Sequence, residues 1–297
     1  MKIGVSAFAW TSQFEVQHLD LLPAVRGMGM QALEVPLFQP AQLAASEIRR
    51  AFAAHDMECT VCAILPVGVN PISPDAAVRL RSVQHLKACI ETAAECGAKL
   101  LGGPLFAPIG YLPEHRPTRD EWQWAVEAFQ ALGPQLDAHE MTLAIEPVNR
   151  AETFFLRTGK EALALCKAVG HPRIGVTIDT FHANIEEKRI DEAVHQLGPV
   201  LKHIHASEND RGVLGEGHID FASILTALQN IGYDGYLMIE GFGYAAKMTN
   251  APGTLWANME TSPEELASKS MFYLQSLLGH LSLFHRVPGV RSESGIS

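Results

Sequence analysis

Apolar positions along the chain recur in two periods. Short runs alternate, and longer runs between them are amphipathic at helical spacing. In 141–146, Leu143 and Ile145 share one face while Thr142, Ala144 and Glu146 share the other. Pro147 removes a ladder N–H and ends that run. The same alternation predicts strands over Ile3–Phe8, Ala32–Phe38, Glu58–Leu65, Lys99–Phe106, Ile174–Thr180, Leu201–Ala206 and Gly235–Gly241. Helices are predicted over Leu19–Met28, Ala41–His55, Pro74–Cys96, Arg119–His139, Gly159–Val169, Glu187–Gln196, Phe221–Ile231 and Pro263–Leu278, with Gly97, Gly170 and Gly232 at helix ends. Eight strand–helix pairs argue for a single α/β (β/α)8 barrel of the TIM type over residues 1–285. A doubly wound sheet would carry a glycine-rich phosphate loop after its first strand, and the run SAFAWTSQF there has none. Two stretches break the alternation. The connection 241–262, with Tyr244, Met248, Trp256 and Met259, has the length of a lid or interface segment, and the polar tail 286–297 is expected to fray.

Composition narrows the class. With 297 residues and 47% hydrophobic content the chain can bury one large core. A formal charge of −10 disfavours nucleic acid as a partner. The five cysteines form no disulfide framework. Cys59 and Cys62 lie in a strand-like run that points them to opposite faces, so they read as buried thiols. The amino terminus is a poor signal peptide, and no apolar run is long enough to span a membrane, so the expected setting is the cytoplasm.

The chemistry is concentrated where strands end. Four successive strands finish on a metal-ligand type: Glu146, Asp179, His205 and Glu240. In a parallel barrel these ends form the mouth that carries the active site. Three carboxylates and one imidazole suit a hard or borderline divalent ion, manganese first, magnesium or cobalt next, better than a closed zinc site. Asn149, Arg150, Glu152, His182, Glu208, Arg211 and Glu216 follow those strand ends onto the same rim, a density of polar groups suited to a polyhydroxylated ligand. Arg150 and Glu216 read as solvated rim groups. His203, one layer below His205, reads as a packed or supporting histidine rather than a ligand. Glu34, at the end of the second strand, faces the same mouth, with no role assigned.

The strings IEPVNRAE, IDTFHANIEE, HIHASENDRGVLGEG and MIEGF resemble the ketose 3-epimerases, the group of D-tagatose, D-psicose (allulose) and L-ribulose 3-epimerases within the xylose-isomerase-like barrels. The resemblance is dense over 141–242 and looser over 1–140, where GMQALEVPLF and the ISPD before a long helix are similar to the family. It implies that Glu146, Asp179, His205 and Glu240 hold the metal and that Glu146 and Glu240 are the catalytic pair. It implies that Glu152, His182 and Arg211 hold the sugar, with Phe242 as an apolar wall, and that the assembly is a homodimer or homotetramer. Gly241 departs from the proline usual in relatives. An aldose–ketose isomerase of the hydroxypyruvate- or xylose-isomerase type is the alternative on the same fold. A metal-dependent endonuclease would want more strand-end histidines and a basic face, and a sugar-binding protein need not keep both glutamates.

Overall fold

The computed structural model describes residues 1–242 and 261–284. Eight parallel strands close into a barrel in sequence order. They are β1 (Lys2–Ser6), β2 (Ala32–Leu37), β3 (Glu58–Ala63), β4 (Leu100–Gly103), β5 (Thr142–Ile145), β6 (Ile174–Asp179), β7 (Leu201–Ala206) and β8 (Tyr236–Ile239). The helices are α1 (Leu21–Gly27), α2 (Ala45–Ala54), α3 (Ala76–Glu95), α4 (Arg119–Gln130), α5 (Gly133–Ala138), α6 (Gly159–Val169), α7 (Thr180–Glu186), α8 (Ile190–Leu197), α9 (Phe221–Asn230) and α10 (Pro263–Phe284).

Alternation sorts each strand between two environments. Leu143, Ile145, Val176, Ile178, Ile204, Leu237 and Ile239 are buried in the apolar core. The other parity fills the barrel with polar groups in register. Thr177 pairs with His203 and Asp179 with His205. His203 in turn pairs with Tyr236, and His205 with Met238. The strand ends thus bring a carboxylate and an imidazole to one height by hydrogen-bond register alone.

Three expectations are corrected. The segment Arg119–His139 is two helices, because Pro134 enters in the first turn of α5 and cannot continue α4. The helix expected over Glu187–Gln196 starts at Ile190, and a separate α7 precedes it. That helix starts at once after β6 because the Asp179 carboxylate accepts the Phe181 N–H at 2.9 Å and caps it. The ends of β1, β3 and β4 fall short of their predicted bounds. Ala7–Ala9 turns as a 3-10 helix, and Gly103 takes φ +125° at the end of β4. As expected, Gly97, Gly170 and Gly232 have positive φ just past α3, α6 and α9. Residues 243–260 and 285–297, which include Tyr244, Met248, Trp256, Met259 and the tail, lie outside the described residues. Among the described residues no helix is long and apolar enough to cross a membrane.

Gly103 also supports the site, since its carbonyl accepts the Glu146 N–H at 3.0 Å. A Cβ there would sit 2.2 Å from the Ala63 carbonyl oxygen. Gly103→Ala is therefore expected to destabilise the fold by roughly 1–3 kcal/mol through strain at this φ. Urea denaturation checks it, and an unchanged midpoint would contradict the assignment.

Candidate metal centre and active site

The predicted strand-end residues converge in a buried cluster at the carboxyl-terminal mouth. Glu146, Asp179, His205 and Glu240 are each at most 4% exposed. His205 Nδ1 lies 3.0 Å from Glu146 Oε1 and 3.8 Å from Glu240 Oε1. Glu146, Asp179 and His205 each present a donor atom within 4.8 Å of the other two. Glu240 reaches the same imidazole with one oxygen while its other oxygen accepts from Arg211 at 2.7 Å.

Asp179 divides its two oxygens between tasks. Oδ1 caps α7, and Oδ2 turns into the pocket, buried and without a hydrogen bond among the described residues. Oδ2 lies 2.8 Å from Arg211 Nη1 and 3.5 Å from His182 Nε2, as ion-pair contacts. A buried carboxylate oxygen with no hydrogen bond, beside a second carboxylate and an imidazole, fits a divalent cation of the oxygen- and nitrogen-preferring class. A second group, Glu34, Cys62 and His205, lies on the other side of the same ring. Burial raises the Cys62 thiol well above its ordinary range, and the carboxylates around it add to the shift. Cys59 and Cys62 are both buried and free.

The charges explain one another. Burial pushes the Glu240 carboxyl up to about 8; His205 and Arg211 oppose that rise, and Asp179 and Glu146 add to it. Burial also works against ionised Asp179, yet Arg211, His182 and His205 hold it below the usual carboxylate range. Burial disfavours the His205 cation, but Glu240, Glu34 and Glu146 outweigh it and raise that ring well above normal.

Arg211 is the buried cation that spans the cluster. It donates to Ser207 Oγ at 2.6 Å as well as to Glu240. Its guanidinium lies 4.2 Å from the centroid of the Phe181 ring and 4.8 Å from that of Phe242. Arg211 holds φ +63°, unusual for a non-glycine residue. The loop that imposes this is pinned by the buried Glu208 carboxylate, which accepts backbone N–H groups of Asn209, Gly215 and Ile219 at 3.0–3.1 Å. His182 Nδ1 accepts from the Asn149 N–H and lies 2.8 Å from Asn149 Nδ2. Asn149 Nδ2 also donates to Glu152 Oε1 at 2.9 Å. Burial raises the Glu152 carboxyl, with His182 and Arg211 opposing.

So Glu152, His182 and Arg211 form one connected network beside the strand-end group. Phe242 packs on Phe8 with ring centroids 5.3 Å apart, and Phe8 meets Phe38 edge-on at 6.2 Å. Phe8, Phe38 and Phe181 were not singled out from the sequence. All three lie within two residues of a strand end, and that position was the available signal. Arg150 and Glu216 lie at the surface, paired with Glu186 and Lys269. Glu34 is corrected: it sits mid-strand in β2 and points below the rim, where its Oε2 accepts from Thr60 Oγ1 at 3.1 Å and lies 2.8 Å from His203 Nε2.

Fold and site together define a barrel enzyme with a candidate metal centre at its mouth. Residues 22–276 match the family model described as xylose isomerase-like TIM barrel. The chain is 30% identical over 264 residues to an L-ribulose 3-epimerase of Mesorhizobium japonicum, covering 86% of this chain and 89% of that one. A solved structure of an L-ribulose 3-epimerase superposes with a TM-score of 0.90 at 29% identity, over 98% of this chain and 99% of the other. A D-allulose 3-epimerase of Methylomonas sp. solved with D-allulose gives a TM-score of 0.87 at 25% identity, over 93% and 96%. The chain belongs to the xylose isomerase-like TIM barrel family, and within it to the ketose 3-epimerases.

Proposed function

We propose that this enzyme inverts C3 of a free ketose of the psicose, tagatose, fructose or ribulose type, with a divalent ion held by Glu146, Asp179, His205 and Glu240. The observation that carries this reading is the approach of two carboxylates, from β5 and β8, to one buried imidazole nitrogen at 3.0 and 3.8 Å. Manganese is the first candidate for the ion, because the donor atoms are carboxylate oxygens and one imidazole nitrogen. When bound, the ion supplies positive charge beside the substrate's C2 oxygen and so favours charge developing there.

The chain's own groups do the rest. The C3 proton is acidic because the adjacent carbonyl accepts the electron pair as an enediolate forms. One glutamate takes that proton from one face of C3. The other, protonated, returns a proton to the opposite face, and the pair of electrons goes back to carbon. In this reading Arg211 and His182 donate to sugar oxygens, Glu152 accepts from hydroxyls, and the Phe8–Phe242 pair covers an apolar face; the Arg211–His182 contact and the packing of the two rings support it.

Incubation with a panel of free ketoses and Mn2+, resolved by chromatography, tests the reading. C3 epimers without aldoses are expected; aldose products would point to an isomerase instead. Free sugars are also expected to be turned over with higher kcat/KM than their phosphates. Among the described residues Arg211 is the buried cation at the mouth, and it is already engaged by Asp179 and Glu240. A ketose phosphate processed with the higher kcat/KM would contradict this.

A further inference from the structure

Beneath the strand-end cluster lies a group that the proposed reaction does not use. Glu34 crosses the barrel interior from β2 to β7 and is fully buried. Its Oε2 is engaged by Thr60 Oγ1 and His203 Nε2. Its Oε1 faces His205 Nε2 at 2.9 Å, and neither of those two atoms has a hydrogen bond elsewhere among the described residues. The contact is within hydrogen-bond distance, so each atom is the other's available partner. An ionised carboxylate in a dry interior is costly unless such partners surround it.

We propose that Glu34 is the positioning residue that sets the His205 tautomer, keeping the ring proton on Nε2 and leaving Nδ1 as the donor atom toward Glu146 and Asp179. Neutral imidazole has one N–H and one lone pair, and the hydrogen bond at one nitrogen decides which is which. Without an ion both ring nitrogens face carboxylates, since Nδ1 also makes a hydrogen bond to Glu146 Oε1 at 3.0 Å. An ion at Nδ1 would need that nitrogen's lone pair, and Glu34, which only accepts, then holds the remaining proton on Nε2. Thr60 and His203 restrain the other oxygen of Glu34, so Oε1 cannot swing away from His205. The inference rests on the reading that an ion sits among Glu146, Asp179 and His205, but it concerns ligand preparation and not turnover.

Glu34→Gln replaces one oxygen by an NH2 group. The amide then faces three neighbours, Thr60, His203 and His205, that all present donors to the carboxylate. At least one imidazole must invert its tautomer or lose its partner, and an inverted His205 carries its proton on Nδ1. Mn2+ titration of the metal-stripped protein, followed by the electron paramagnetic resonance of free Mn2+, is expected to show about 10–100-fold weaker binding in Glu34→Gln. In 15N-histidine-labelled protein with Mg2+ bound, the wild type is expected to show Nε2–H signals for both His203 and His205, and Glu34→Gln to lose or shift the His205 one. A purely structural role would lower the melting temperature of the metal-free protein without moving the affinity or that signal. Thr60→Val provides a milder variant if Glu34→Gln does not fold. It frees one oxygen of Glu34, and a few-fold loss of Mn2+ affinity is expected. Wild-type affinity in the folded Glu34→Gln protein, or in Thr60→Val where that is the variant that folds, overturns the inference while leaving the metal reading intact. Failure of the wild type to bind Mn2+, Mg2+ or Co2+ overturns the metal reading itself.

Discussion

Glu240→Gln is expected to lose at least about 10²-fold in kcat, the lower end for removal of a general base, while still taking up metal. The amide keeps an oxygen that can coordinate and donors or acceptors of similar reach, so the fold and the Arg211 contact are largely retained. What it cannot do is carry a proton to or from C3. Glu146→Gln should behave likewise. Because each turnover uses one residue as base and the other as acid, either variant should lose net epimerisation in both directions. Each should nevertheless retain one half-reaction. The remaining carboxylate can remove the C3 proton of one epimer and return a solvent deuteron to the same face. Incubation in D2O followed by mass spectrometry would show exchange into one epimer for Glu240→Gln and into the other for Glu146→Gln. Asp179→Asn should act differently, through metal affinity, with partial recovery in excess Mn2+. Near-normal kcat in Glu240→Gln at saturating metal would reduce Glu240 to a ligand, and His182, 3.5 Å from Asp179 and within the same network, would become the next base to test.

Exhaustive chelation is expected to abolish activity and to lower the melting temperature. Glu146, Asp179 and Glu240 are buried around His205 and Arg211, and removal of a dication leaves those two groups to offset the carboxylates' repulsion. The ion also binds the folded chain preferentially. At about 100 times its dissociation constant such a ligand stabilises by about 2.7 kcal/mol. For a chain of 297 residues that corresponds to a fall of about 4 °C on stripping. Differential scanning fluorimetry with and without chelator, then with Mn2+ added back, measures both the loss and its reversal. Full activity with metal analysis confirming an empty site would remove the ion from the reaction.

Much of this architecture was legible in the linear pattern. A parallel barrel buries one face of each strand against helices and the other against its own interior, so alternation survives as apolar residues facing out and polar or small ones facing in. Leu143 and Ile145 against Glu146, or Ile204 against His203 and His205, show that contrast directly. The ligand candidates were legible because parallel strands all end at one mouth. The position of Glu146, Asp179, His205 and Glu240 at successive ends therefore implied proximity before any distance was known. The Asp179 cap was harder to see, since one oxygen serves α7 and the other serves the pocket, and sequence position does not divide a carboxylate's atoms.

By itself, then, the order of residues determined the barrel, its rim and the chemical types gathered there, because periodicity and strand direction are local properties of the chain. The tertiary structure alone decided how those groups are paired. Arg211 bridges Asp179 and Glu240 from a loop whose backbone N–H groups the Glu208 carboxylate holds. Glu34 meets His203 only across a separation of 169 residues, through the closure of the barrel. Hydrogen bonds and charge interactions depend on angstrom-scale approach between strands, and barrel closure sets that distance in a way no spacing along the chain records.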